Sequence, residues 1–271
     1  MEKSCGTARS PTPLKDRQVV QSLNANTGIR QSRGANLLSL FPPSGRQLPA
    51  RGRKLSTGLE SISSKTDRGV TTLRRVKRGG CLFRAHDVFR CLYPIRSGFF
   101  KTVLGDRGGR EQITGFFMPR EVLGMEGFGS GYQQNSAYAL EDSEVHVVPY
   151  SFIQELGCAM PSVQRHMLAL VSSEIVRNQS IMLSLGSLDA KERLAAFLIN
   201  LSERFRDRGY SDSEFLLRMT RAEIGSYLGL QFETVSRHFS AFQKAGLLDV
   251  HEKLVAIVDV KGLHRVLNAR S

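Results

Sequence analysis

No apolar run in the 271-residue sequence approaches the ~20 residues that a helix needs to cross a bilayer. The N-terminal stretch also lacks the hydrophobic core and small-residue cleavage pattern of an export signal. The expectation is a cytoplasmic protein with no membrane partner. Cysteine is scarce, with Cys5, Cys81, Cys91 and Cys158 separated by 76, 10 and 67 residues. None makes a close ligand pair, so zinc-finger and ferredoxin-type spacings are excluded. A disulfide framework is not expected in a chain of this size without export. The six histidines, at 86, 146, 166, 238, 251 and 264, are equally scattered, and no metal site is predicted. Acid is short as well: 25 Asp and Glu against 38 Lys and Arg leave +13. Such a surplus points to a polyanionic partner, nucleic acid before an anionic membrane.

What is present divides unevenly along the chain. Hydrophobic residues make up 41%, enough for a core. Residues 1–54 hold ten Lys or Arg against two Asp or Glu, +8 of the +13, with Pro11, Pro13, Pro42, Pro43 and Pro49 and no sustained hydrophobic period. They read as a basic, disordered arm. Two roles stand open for it: phosphate attraction, or a solvated tail with no specific role.

From about Val70, short apolar runs alternate with turn residues, as in Leu92-Tyr93-Pro94-Ile95, Phe99–Leu104, Ile113–Phe117, Ala137–Leu140 and Glu144–Pro149. Many short strands with Gly-rich turns predict an antiparallel barrel or jelly roll over 55–160. The stretch Gly127–Gly131 is no Walker loop, because no G-K-[ST] follows. It reads as a turn, with an anion cradle as the alternative. Pro161 opens a helical stretch, 161–188, in which Met167, Val171, Glu174, Asn178, Ile181 and Leu185 recur at steps of three and four. Such a stripe implies a two-helix seam between subunits, the alternative being a helix packed on its own barrel. Asn178, a neutral polar residue within the stripe, would fix register and avoid like-charge repulsion between partners. Next comes a capping-box spacing at Asp189–Glu192.

The strongest pattern lies in 189–271. Thr220 and Glu223 have capping-box spacing on a short helix whose inward residues are Ile224, Tyr227 and Leu228, and Gly229 supplies a tight turn. A second helix from about Phe232 to Lys244 buries Val235, Phe239 and Phe242 and stops at Gly246. Two short helices around a glycine turn predict a helix-turn-helix. Leu247–Val250 and Leu254–Val258 alternate as a wing hairpin would. Glu233, Ser236 and Arg237 share one face near the start of the second helix, where a recognition helix meets base edges. Arg suits guanine O6/N7 and Glu accepts from cytosine N4. A plain Glu–Arg surface pair is the alternative. Thr220, Arg221 and Thr234 are further candidate DNA contacts. The predicted class is α+β: an antiparallel, jelly-roll-like β-roll sensor, a long dimerisation helix and a C-terminal winged helix-turn-helix.

Tyr93–Gly98, Glu111–Phe116, Glu192–Leu198 and the helix-turn-helix resemble the Crp/Fnr superfamily of bacterial transcription regulators, specifically its Fnr branch, over roughly residues 55–260. The resemblance implies a homodimer on palindromic double-stranded DNA, with Glu233–Arg237 similar to the reader of TTGAT-type half-sites. It also implies RNA polymerase as the partner of an activator, with the loop Gly105–Arg110 a candidate contact. Two departures matter. Fnr-type sensors hold a [4Fe–4S] cluster through N-terminal cysteines and one in the β-roll. Here the corresponding segment, Pro42–Pro49, has no cysteine and the β-roll position holds His146. Cyclic-nucleotide binders carry a phosphate-binding arginine where this sequence has Asn135, leaving a phosphodiester no charge partner. No cofactor is therefore predicted. Haem near His146 or His86 is the alternative, and a cupin-like metalloenzyme a remote one that lacks a His/carboxylate ligand set.

Overall fold

The computed structural model describes residues 71–106 and 108–268. The predicted arm, the Pro42–Pro49 segment and Cys5 lie outside the described residues. Eight strands follow first: β1 (Thr72–Val76), β2 (Cys81–Phe83), β3 (Cys91–Ser97), β4 (Phe100–Gly105), β5 (Glu111–Phe117), β6 (Val122–Leu123), β7 (Ser136–Ala139) and β8 (Ser143–Pro149). They form two antiparallel four-stranded sheets, ordered β1-β8-β3-β6 and β2-β7-β4-β5. The roll is closed by one core to which every strand contributes: Val76, Leu82, Phe83, Ile95, Phe100, Phe117, Leu123, Ala137, Ala139 and Val145. This is the antiparallel β-roll expected from the strand and turn pattern.

The second sheet is buried on both faces, which simple alternation would not allow for a surface sheet. Opposite β4, Thr102 pairs with Gly115 and Val103 with Ile113, so Thr114 is an extra residue in β5. That bulge resets the alternation. Ile113 and Phe116 then face away from the roll together with Phe99 and Val103, and these four belong to a different core shared with the C-terminal part.

Helix α1 (Tyr150–Ala159) leads into the long helix α2 (Pro161–Ser187), which has proline at its first position. Val163 and Leu170 are buried in its N-terminal half, Leu170 in a cluster with Leu92, Val122, Val148 and Ile153. Helix α3 (Ala190–Arg206) begins with the predicted capping box: the Glu192 N–H donates to Asp189 Oδ1 at 2.9 Å, and the Asp189 N–H to Glu192 Oε2 at 2.7 Å. Then come β9 (Glu214–Leu216), α4 (Arg221–Leu228), α5 (Phe232–Lys244), β10 (Leu248–His251), β11 (Leu254–Ile257) and α6 (Val260–Leu267). β9, β10 and β11 make a small antiparallel sheet, so the predicted wing hairpin gains a third strand.

What ties the two parts together is Glu121, in the turn between β5 and β6. Its carboxylate accepts from Arg204 Nη2 at 2.8 Å, Arg208 Nη2 at 2.6 Å and the Met118 N–H at 3.1 Å. The same arginines bond the carbonyls of Phe116 and Pro119, each at 2.7 Å. All three charged side chains are nearly buried. Burial alone would raise the Glu121 pKa, but the charges of Arg204, Arg208 and Arg177 hold it below the usual carboxylate value.

Removing that carboxylate's charge leaves two buried guanidinium groups without their counter-ion. Glu121→Gln is expected to lower the unfolding free energy by ~3 kcal/mol, read as a drop in the urea midpoint. Because the folded pKa is depressed, the carboxylate's contribution is present at neutral pH and is lost as pH falls through the folded value. The stability difference between the parent and Glu121→Gln should therefore narrow in acid.

Candidate nucleic-acid interface

Three local features shape the helix pair α4–α5. Thr220 caps α4: its Oγ1 accepts from the Glu223 N–H at 3.2 Å, and Glu223 Oε2 accepts from the Thr220 N–H at 2.7 Å. Gly229, at φ 64°, closes α4 in the left-handed conformation. A Cβ on Gly225 would stand 2.6 Å from the Leu230 carbonyl oxygen, so glycine there lets the two helices approach across the turn. Ile224, Leu228, Val235, Phe239 and Phe242 are buried as expected. Tyr227 is only half-buried and turns toward the roll, its ring 5.1 Å from that of Phe116.

On the other side of α5, Glu233 and Arg237 are exposed, and Ser236 and Thr234 are half-buried beside them. Among the described residues no ion pair joins Glu233 to Arg237 or engages either with another side chain. The alternative of a self-satisfied surface pair is therefore not what the structure shows. Both ends of the charge pattern are presented outward on the first two turns of the helix, with Glu233 where the helix dipole favours an anion.

Arg221, at the start of α4, packs its guanidinium 3.3 Å from the Phe239 ring centroid. Burial lowers its pKa to about 10, so it stays charged at neutral pH. Its Nη1 has no hydrogen-bond partner, and no carboxylate among the described residues pairs with it. Nη1 is buried, so this uncompensated guanidinium beside the Thr220 cap has the charge of a phosphate contact but would offer it through its other nitrogens.

The stripe predicted for the dimer seam divides in two. Met167, Glu174 and Ile181 are half-buried against their own chain; Glu174 pairs with Arg177, whose guanidinium lies 4.2 Å over the Phe117 ring. Val171 and Leu185 are half-buried and Asn178 is exposed. The open apolar residues of α2 are Leu168, Ile175, Val176, Met182 and Leu183, exposed by 66, 52, 57, 71 and 68%. Leu168, Ile175 and Met182 repeat every seven residues, with Val176 and Leu183 beside them, and with Val171, Asn178 and Leu185 they make a stripe with steps of three and four. The sequence carried that signal, since this offset replaces Glu174 with Ile175.

In the sensor, Asn135 hydrogen-bonds the Glu126 carboxyl in the turn where a nucleotide phosphate would need a cation. Burial raises the Glu126 pKa. One oxygen of Glu126 and the side-chain oxygen of the buried Gln133 have no hydrogen-bond partner. The turn thus offers acceptors and a carboxyl, with Arg177 the positive charge that acts on Glu126. His146, half-buried on β8 opposite Leu73, has its pKa lowered by burial and by Arg96, and His86 is exposed. Among the described residues no three His, Cys, Asp or Glu side chains are placed to hold a metal ion.

An antiparallel roll, a long helix with an open heptad stripe and a winged helix-turn-helix with an outward polar face define a DNA-binding transcription regulator. Residues 73–157 match the cyclic nucleotide-binding domain family and residues 192–266 the Crp-like helix-turn-helix domain family. The chain is 42% identical to the transcriptional regulatory protein btr of Bordetella pertussis (strain Tohama I), over 76% of this chain and 86% of that protein. It is 44% identical to the transcriptional activator protein FnrA of Stutzerimonas stutzeri, over 70% of this chain and 78% of that one. The solved structure of FixK2 from Bradyrhizobium japonicum superposes with a TM-score of 0.67 at 27% identity, covering 73% of this chain and 97% of that one. The chain belongs to the Crp/Fnr family of transcription regulators; it is not an enzyme. No helix of the described residues is long and apolar enough to cross a membrane.

Arg221→Gln is expected to weaken DNA binding to a similar extent on every sequence. It should also reduce the slope of log affinity against log salt by ~0.9 for each phosphate that the side chain no longer engages. A salt titration by fluorescence anisotropy checks both, and an unchanged slope would remove Arg221 from the interface.

Proposed function

We propose that the protein binds as a homodimer to a palindrome with TTGAT-type half-sites and controls transcription through RNA polymerase in the cytoplasm. It does so without a [4Fe–4S] cluster or a cyclic nucleotide. The observation that carries this reading is the free, outward-facing set of Glu233, Ser236 and Arg237 on α5, with the capping and phosphate-type residues Thr220 and Arg221 on the neighbouring helix. Arg237 supplies a bidentate donor suited to guanine O6/N7 and Glu233 an acceptor for cytosine N4. Thr234 and Thr220 reach the sugar–phosphate backbone on either side.

The homodimer is supported by the open stripe of Leu168, Ile175 and Met182 on α2. Two such helices side by side would remove these side chains from water, with Asn178 setting register. The relatives' names also support control of transcription, one being called an activator. For polymerase contact, the turn after β4 is preorganised. Asp106 accepts from the N–H groups of Gly108 and Arg110 at 2.8 and 2.9 Å and from Arg110 Nε at 2.7 Å, which holds an exposed loop in one shape. Independence from a cluster rests on the sequence, with His146 at the position of the β-roll ligand and no cysteine in Pro42–Pro49.

Footprinting in air on a TTGAT-type palindrome, across a salt series, tests the whole reading. Protection centred on the palindrome is the expected result. Arg237→Ala should cost roughly 1–3 kcal/mol and relax preference at one base pair per half-site. Parent-like binding by that variant would show the reader to be elsewhere. Sedimentation in air should give a dimer for the parent and a monomer for Ile175→Asp. Protein purified without oxygen should show no visible absorption from iron–sulfur or haem, and a chromophore would overturn the cofactor reading.

A further inference from the structure

Phe232, the first residue of α5, is 50% exposed. Every other phenylalanine among the described residues is buried or half-buried, and on α4 and α5 Phe232 is the one large apolar side chain left in water. Nothing in the fold accounts for it. It belongs to none of the three core clusters and makes no ring or cation–π contact among the described residues. The apolar pair that commonly fixes how a chain enters a helix joins the residue before the cap to the fourth helical residue. Here Leu230 and Val235, which share the reader's core, occupy those two places. Helix propensity does not favour Phe232 either, since phenylalanine is a poorer helix former than alanine, leucine or glutamine.

Its place on the helix is that of a reader. Residues four apart stand one above the other, so Phe232 shares a column with Ser236, and Glu233 and Arg237 form the next column. The side that Val235, Phe239 and Phe242 turn to the core is separate from both. The first two turns of α5 therefore present an acid, a hydroxyl, a guanidinium and an apolar ring together. The first three match polar base edges. The ring matches the one apolar feature of the major groove, the C5-methyl group of thymine.

We propose that Phe232 reads a thymine C5-methyl group in each half-site. The inference rests on the α5 reader proposed above, and it adds a feature of the base that Glu233, Ser236 and Arg237 cannot sense, because a hydrogen bond does not report a methyl group. The contact takes apolar surface of both partners out of water. It thereby supplies attraction directly beside Glu233, whose charge the DNA phosphates repel, and only where a thymine stands at the right step.

The experiment titrates the full chain, by fluorescence anisotropy, with the TTGAT-type palindrome and with versions carrying uracil in place of each thymine of one half-site in turn, on either strand. Uracil differs from thymine only in lacking the methyl group. The parent should lose about four-fold in affinity at one thymine and be indifferent at the others. Phe232→Ala should bind the thymine palindrome more weakly and make no distinction between thymine and uracil at that position. Phe232→Leu should keep a reduced distinction, and Arg237→Ala should bind less well yet keep it in full. Thymine and uracil are compared within each variant, so a general loss of fold cannot mimic the result. Should Phe232→Ala bind too weakly to measure, the reduced distinction in Phe232→Leu decides. A parent indifferent to the methyl group at every position, or a distinction undiminished in both Phe232 variants, overturns the proposal and leaves the polar reader standing. A parent that does not bind the thymine palindrome overturns the polar reader, and the methyl contact with it.

Discussion

The Glu121 carboxylate is the point on which the relation between sensor and reader turns. Taking a carboxylate out of water costs several kcal/mol, and that cost is offset only where its oxygens are fully used. Here two guanidinium groups and one backbone N–H use them. The arginines come from the last turn of α3 and just beyond it, and Arg204 sits where a cation also favours the helix dipole. Arg204 also bonds the Phe116 carbonyl near the end of β5 and Arg208 the Pro119 carbonyl in the β5–β6 turn, so this corner of the roll and the end of α3 are joined by bonds in several directions. Arg120, at φ 73°, bends the chain tightly enough for Glu121 to point inward, a conformation a non-glycine residue holds only when its surroundings enforce it.

With that clamp in place, the outer face of the β2-β7-β4-β5 sheet becomes an interior surface. Phe116 contacts the rings of Phe197 on α3 and Tyr227 on α4, and Phe99 contacts Phe205. The free edge of β5 is satisfied by the reader itself: the Ile113 N–H donates to Ser226 Oγ at 3.0 Å, and the Gln112 side chain bonds the Ser226 carbonyl. An edge strand that would otherwise invite pairing is thereby covered. The sensor sheet touches the first helix of the reader directly, while the face of α5 that carries Glu233 and Arg237 points away from this contact. β5 and α4 are therefore in direct contact, without the long helix α2 between them.

Features set by local chemistry were legible in the sequence. The capping boxes at Asp189 and Thr220, the glycine turn at Gly229, the buried side of α5 and the strand-and-turn rhythm of the roll each depend on residues within a few positions of one another. The stripe on α2 was legible only in part. Val171, Asn178 and Leu185 are common to both offsets, and the choice between Met167/Glu174/Ile181 and Leu168/Ile175/Met182 depends on which side the roll covers. The Glu121 clamp joins residues more than eighty positions apart, and no local period announces it. The bulge at Thr114 was hidden for a related reason, since it is defined by the partner strand. Tyr227 read as inward because it shares the helix face of Ile224 and Leu228, yet the core it meets belongs partly to another domain.

The placement of Glu233 bears on how specificity and affinity are divided. An exposed carboxylate on a helix that approaches DNA is repelled by the phosphates, although the N-terminal turn of α5 favours an anion at that position. It therefore weakens binding to every duplex except one that offers it a donor at the right base edge. With Arg237 unpaired to it, neither charge is neutralised before DNA arrives, and each is left to discriminate. Attraction must then come from elsewhere, from cations such as Arg221 and, in the sequence as a whole, from a surplus of which +8 lies in residues 1–54. On the function proposed above, a net charge of +13 is thus a statement about encounter with DNA, while the choice of site rests on one acid, one serine and one arginine on two turns of helix.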